Sequence, residues 1–395
     1  MKNKGMQLGA VLAAMLLLSM AFVPAASAKK DLDIVENNYV AIEKAREHAT
    51  ITLSEFMAAG SPGLKNTDWN GATINPDPLI IHDINGKKLF YQFSVEKEGK
   101  SVGSIKTSAS KVLGESIRTI GLKPLILDSD VALQMAKKNA KENYKNSEIT
   151  STTLVSYSYP KIGIMVKLRD LNTNKEQRIF VDAYDYSIIP DRIPENNESG
   201  VWSLYDNISN DEKVKRISAW EENDKKFREI VEKKRSNGIE GSKTLVTMQS
   251  LNVLDVPLFA QEQANYCAPA VGQMITVYHG DYYIQDLIAY LMKTTSTGTY
   301  ISNQTKYYKD VVGATNSNFY TPVVWQDMVN MIDASRPFAS IISSPVMHVR
   351  TGAGYWIWTY HYVLILDPYP TNQGDEYWEA AEFWGSDDHG NIYVY

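Results

Sequence analysis

The chain has 395 residues, 44% hydrophobic and 22% charged, which is enough for two or three domains with real cores and too apolar for a disordered protein. Its 40 basic and 46 acidic residues are interspersed and sum to a formal charge of −6, so no broad positive field supports a nucleic-acid partner. A single cysteine, Cys267, excludes an internal disulfide.

The chain opens with Lys2 and Lys4, an apolar run from Leu8 to Val23, then Pro24 and the small residues Ala26, Ser27 and Ala28. A basic start, an apolar stretch and a small-x-small site read as a secretory signal peptide over 1–28, which predicts a secreted or cell-surface protein. An uncleaved anchor is the alternative, because the run approaches the ~20 apolar residues a spanning helix needs. An unpaired thiol in an exported chain is either reactive or deeply buried.

Val40 to His48 has helical spacing, and Lys88 to Val95 alternates as a strand does after the Asn85-Gly86 turn signal. The order returns: Val131 to Ala140 predicts a helix, and Ile162 to Leu168 and Arg178 to Asp182 predict strands around Asn172. The reading is two small α+β units, 29–125 and 126–195. The second, ending in Phe180, Val181, Asp182, Ala183 and Tyr184, resembles the PepSY-type domains found in pro-regions of secreted peptidases. Pro190 to Gly200 reads as a linker, and Asp211 to Arg235 as a charged, water-facing helix, giving a helical linker over 196–244. Ser236 to Lys243 reads as an exposed join. Beyond it charge falls and Tyr, Trp, Val and Ile dominate, which marks a catalytic domain over 245–395.

Within that domain Ala268 to Tyr278 suits a helix, with Pro269 in its first turn and Gly280 as its stop. Cys267 therefore sits at a helix N-terminus, where unpaired N–H groups and the dipole favour thiolate over thiol. A glutamine just upstream can donate a side-chain N–H to a tetrahedral oxyanion beside the cysteine's own backbone N–H. Gln261 is the candidate, with Gln263 in reserve. An inert, small hydrophobe at a helix start is the competing reading of Cys267.

The run Gln261-x5-Cys267-x-Pro269-Ala270 at the start of an apolar helix resembles the nucleophile motif of papain-like peptidases of the bacteriocin-leader-processing (double-glycine) type. The resemblance implies an α+β fold in which a helix bearing the cysteine packs on an antiparallel sheet, a Cys-His-Asp triad, a thioester intermediate, a peptide or protein substrate and no cofactor. In that family glycine usually follows the cysteine; Ala268 stands here, and is expected to crowd the backbone where substrate would lie. The family places its histidine at the start of one strand and the orienting Asp or Asn at the end of its neighbour. His348 with Asp367 satisfies this, and so does His361 with Asp387, the latter closing an expected strand over Ala380 to Trp384. His361 with Asp367 is excluded, since six extended steps hold them about 20 Å apart. His348 with Asp367 is preferred on motif order, because Met347, His348, Gly354 and Tyr355 resemble the family's Gly-His…Gly-Tyr segment.

The other histidines have plainer readings: His279 as a partly positive ring at a helix C-terminus, and His48, His82 and His389 as surface residues. No His/Asp/Glu spacing suggests a metal site. The expected function is a cysteine endopeptidase held inactive by an intramolecular pro-region; the alternatives are an extracellular binding module with a silent site and a hydrolase of other amides.

Overall fold

The structure is a computed structural model that describes residues 34–395 apart from 66–67, 125–126, 195–198, 237–249, 343–346 and 386–388. The expected signal peptide, the exposed join beyond Ser236 and Asp387 lie outside the described residues.

The N-terminal part contains α1 (Ile42–Ala58), β1 (Thr73–Ile74), β2 (Leu79–Asp83), β3 (Lys88–Lys97), β4 (Lys100–Ser108) and β5 (Ile117–Gly121). A second unit follows as α2 (Ser129–Asn143), β6 (Ser147–Ser158), β7 (Lys161–Asp170), β8 (Glu176–Asp182) and β9 (Ile188–Ile189). The short α3 (Leu204–Asn207) and the long α4 (Asn210–Ser236) complete this half. Each helix forms for a local reason. In α2, Asp128 caps the start by accepting from the Val131 N–H at 3.0 Å, and Ala132, Ala136 and Ala140 repeat every fourth residue to give a smooth face against β6 and β7. In β3 the strand is buried on both faces: Tyr91, Phe93 and Val95 meet the α1 core of Ala45, Ala49 and Phe56, whereas Phe90 joins Ile81 and the α2 alanines.

The charged helix α4 is less solvated than its composition implies. Trp220 and Phe227 are 3% and 1% exposed, and pack on the buried His48, Trp220 tilted at a ring centroid distance of 5.6 Å and Phe227 stacked at 4.4 Å. Two aromatic residues at i and i+7 lie on one helical face, which the dense charge between them masks in a composition count.

The C-terminal part contains β10 (Ser250–Val253), α5 (Cys267–Tyr278), α6 (Gln285–Leu291), α7 (Ile301–Asp310), β11 (Asn318–Tyr320), α8 (Trp325–Asp333), β12 (Phe338–Ile342), β13 (His348–Ile357), β14 (His361–Asp367), β15 (Asp375–Ala380) and β16 (His389–Tyr393). The expected strand over Ala380 to Trp384 is instead the end of a strand and a turn: the β14–β15 ladder stops at Tyr362 opposite Ala380, and the Trp384 N–H bonds the Ala381 carbonyl. The α5 face of Val271 and Ile275 packs with Ile288, Met292 and Tyr307 from α6 and α7 and with Ile341 and Val349 from the sheet. Gly272 permits this closeness, because a Cβ there would meet the Met292 methyl at 2.8 Å.

All sixteen described strands form one mixed sheet. Its path runs β11-β16-β12-β13-β14-β15-β5-β4-β3-β2-β6-β7-β8-β9, with β1 on β3 and β10 on β13. The fold is α+β, and its pairs are antiparallel except β2 with β6. The junction between the two halves is a strand pair rather than a loose contact: Tyr377, Trp378 and Glu379 of β15 lie opposite Gly121, Ile120 and Thr119 of β5.

Candidate active site

Cys267 is the first residue of α5. Tyr266 before it has φ −97° and ψ 20° and makes no side-chain cap, so the first N–H groups of the helix receive no capping side chain. The approach loop is pinned from below by Gln285, whose side chain accepts from the Glu262 N–H at 3.0 Å and donates to the Ala260 carbonyl at 2.7 Å. Asn265 Nδ2 donates to the Thr295 carbonyl at 2.7 Å, and Tyr266 Oη donates to Asp286 Oδ1 at 3.0 Å. These bonds fix where the helix begins, and therefore where the sulfur sits.

His348 opens β13 and Asp367 closes β14. Antiparallel pairing sets Thr351 opposite Leu366, which brings the two strand ends together. His348 Nε2 lies 2.8 Å from Asp367 Oδ1, and both side chains are buried. The carboxylate is held from two further directions, by the Tyr369 N–H on Oδ1 at 2.9 Å and by Tyr377 Oη donating to Oδ2 at 2.9 Å. With Nε2 so occupied, Nδ1 is the ring nitrogen left for the sulfur.

The charges follow from this packing. Burial pushes the Cys267 thiol up, but the hydrogen bond and charge of His348, the Val349 N–H and the charge of Lys161 outweigh it, and its pKa falls below the ordinary thiol value. Burial pushes His348 down, but Asp367 and Cys267 outweigh it and raise the ring's pKa. For Asp367 burial is again opposed, by His348, Arg350 and the Tyr369 N–H, with a net lowering. All three shifts favour thiolate, imidazolium and carboxylate side by side.

Residues 253–387 match the family model described as the Peptidase_C39 like family. The chain is also similar to the peptidase domain of Streptococcus ComA, a bi-functional ABC transporter involved in a quorum sensing pathway. That solved structure is 17% identical over 35% of this chain and 96% of that chain, at a TM-score of 0.27. No curated protein matches the chain.

The remaining candidates fall elsewhere. Gln261 is buried, and its Nε2 is engaged with the Ala264 carbonyl at 3.2 Å and Thr371 Oγ1 at 3.1 Å, so it must release one of these to serve an oxyanion. Gln263 is exposed. Ala268 is 1% exposed with its methyl in the apolar core beside Val271 and Ile275, so the expected crowding of the cleft does not occur. His361 is half-exposed, 4.5 Å from the Trp325 ring and 3.4 Å from Glu382 rather than near the sulfur's partners.

Two histidines assigned to the surface are core residues. His48 is 1% exposed, bonded to Ser116 Oγ and, at 2.9 Å, to Asp224 Oδ1. This Ser-His-Asp order is sealed under Trp220 and Phe227, so it ties α1 to α4. His389 is 3% exposed and stacked 4.9 Å from Trp384. His279 does follow the last residue of α5, but burial and then Arg336 lower its pKa, against the positive ring expected there. Among the described residues no group of three His, Cys, Asp or Glu side chains could hold a metal ion.

Sequence reading missed Lys161, Tyr377, Arg350 and Glu379. Lys161 comes from the N-terminal half and lies with its Nζ 5.9 Å from the centre of the Tyr369 ring, close enough for its charge to lower the thiol pKa. Replacing it by methionine is expected to slow iodoacetamide alkylation of Cys267 at pH 6 about two- to threefold, the size of one partly solvated charge. The pH dependence of alkylation checks this, and an unchanged profile would remove Lys161 from the site.

Proposed function

We propose that the C-terminal part of this chain is a cysteine peptidase working through Cys267, His348 and Asp367, exported by its N-terminal segment. The observation that carries the reading is the unbroken order of thiol, imidazole and carboxylate at the start of α5, with the pKa of each moved toward the ion-paired state. The family match over 253–387 supports a peptide bond as the substrate.

The chemistry follows from the geometry. The Cys267 thiolate attacks the scissile carbonyl, forming a C–S bond while the π electrons move to oxygen. The Cys267 backbone N–H at the helix start is a fixed donor for that oxyanion, and Gln261 adds a second once its amide turns from Thr371. His348 gives its proton to the leaving amine as the C–N bond breaks, leaving a thioester. A water molecule then attacks, His348 takes its proton, and the C–S bond breaks to release the acid. Asp367 holds the ring in the required orientation and stabilises its positive form throughout.

A binding module with a silent site is the second reading. It is favoured by the engaged Gln261 amide and by exposed Tyr282, Ile284, Tyr290 and Tyr300 on and around α6 and before α7, with Tyr290 80% exposed. The two readings differ at the sulfur. Brief treatment with a thiol-directed peptide electrophile at mildly acidic pH, followed by mass spectrometry, is expected to show one stoichiometric adduct on Cys267. An unmodified chain under conditions that label a reactive thiol would leave the binding module.

A further inference from the structure

A buried chain of alternating charges leads from Asp367 into the N-terminal half. Tyr377 Oη, which donates to Asp367 Oδ2, accepts from Arg350 Nη1 at 3.3 Å. Arg350 is fully buried and pairs with the equally buried Glu379. From the other side Glu379 Oε1 accepts from Tyr159 Oη at 2.7 Å and lies 3.2 Å from Arg118 Nη2. Arg118 Nε in turn donates to Tyr159 Oη at 3.0 Å, and its Nη1 lies 3.4 Å from both oxygens of buried Glu115. Arg118 belongs to β5, and Tyr159 follows β6, so the far end of the chain is built by residues over 250 positions before Glu379 or on a separate unit.

Period-2 geometry explains the line. His348 and Arg350 share one face of β13, and Tyr377 and Glu379 share one face of β15. Burial disfavours the ionised form of Glu379, but Arg350, Arg118, His389 and the Tyr159 hydroxyl hold it down to about 2. A buried carboxylate with one cation removed is left with an uncompensated charge, and its remaining partner is pulled toward it.

We infer that Arg118 and Tyr159 of the N-terminal half are positioning residues for the proposed triad, acting through Glu379, Arg350 and Tyr377 on Asp367, so that this half belongs to the working site. The inference rests on the peptidase reading. Freeing the N-terminal half would then slow the enzyme: it would strip β5 from β15 and take Arg118 and Tyr159 from Glu379, leaving it only Arg350 and His389. This opposes release as the activating step.

The test reads the pH window in which Cys267 of the full-length chain alkylates rapidly with iodoacetamide, whose lower edge is set by ionisation of the thiol. Looser placement of Asp367 weakens the imidazolium and with it the thiolate, so the lower edge rises and the window narrows. Tyr159→Phe and Tyr377→Phe are each expected to narrow it and to cut the rate at pH 6 roughly fivefold, the size of one net hydrogen bond. Tyr205→Phe is the control. It also removes a buried hydroxyl of the N-terminal half, bonded to the Lys88 carbonyl at 2.7 Å but unconnected to Glu379, and should lower the melting temperature without moving the window. A Tyr159→Phe window equal to wild type beside a narrowed Tyr377→Phe window would overturn the role of the N-terminal half. Limited trypsin digestion that frees that half and raises the alkylation rate would do the same. A wild-type thiol with no low-pH reactivity is a different result: it sinks the peptidase reading, and this inference falls with it.

Discussion

Cys267→Ala is expected to abolish hydrolysis while leaving the fold in place, with a rate loss of at least ~10³-fold, as for removal of other covalent nucleophiles. The sulfur is half-buried at the first residue of α5, and the start of that helix is fixed by Gln285, Asn265 and Tyr266 rather than by the thiol. Truncation therefore costs little packing, and the melting temperature should stay within a few degrees of wild type. A second readout follows from the charges: His348 is raised partly by Cys267, so its pKa should fall in the alanine variant, which an NMR titration of the ring follows. A Cys267→Ala protein that cleaves casein-like substrates at the wild-type rate would end the peptidase assignment.

His348→Ala is expected to raise the thiol pKa and remove turnover, whereas His361→Ala should leave a measurable rate. Two of the contributions that lower the Cys267 pKa come from His348, its hydrogen bond and its charge; once they are gone, burial dominates and pushes the thiol up. The sign is that thiolate is lost at every pH below the raised value, so alkylation at pH 6 should drop on the order of a hundredfold, with turnover falling further because no acid remains for the leaving amine. His361 lies at the far end of β14 from Asp367, beside Trp325 and Glu382. Alkylation profiles of both variants decide the matter: a thiol pKa raised only by His361→Ala would move the triad to that residue.

Local signals carried much of the architecture. Helical spacing of apolar residues marked the helices near Val40 and Val131, and alternation marked β3 even though both of its faces are buried. Cys267 was legible as a helix start from Pro269 and Gly280, and His348 and Asp367 as the ends of neighbouring strands from motif order, although Gly352 and Gly354 lie within β13 rather than in a turn. Those features depend on residues close in sequence. The strand ending at Ala380 was misplaced for the same kind of reason: Ala380 to Trp384 is apolar enough for a strand, but its ladder partner on β14 has already run out.

What the sequence by itself determined is a part of the elements, the lone thiol at a helix N-terminus and the two histidine–carboxylate pairs able to serve it. Tertiary structure alone decided the choices that depend on residues far apart in the chain. It set His348 Nε2 at 2.8 Å from Asp367, turned the Gln261 amide toward Thr371, and buried His48 and His389 where polar neighbours in sequence had suggested a surface. It also joined β5 to β15, so that Arg118, Tyr159 and Lys161 of the N-terminal half reach the neighbourhood of the site. Strand pairing across more than 250 residues leaves no periodic trace, since either strand would read the same beside another partner. The charge on Glu379 is equally silent in sequence, because its cost and its compensation both arise only when two arginines and a tyrosine are brought to it in the absence of water.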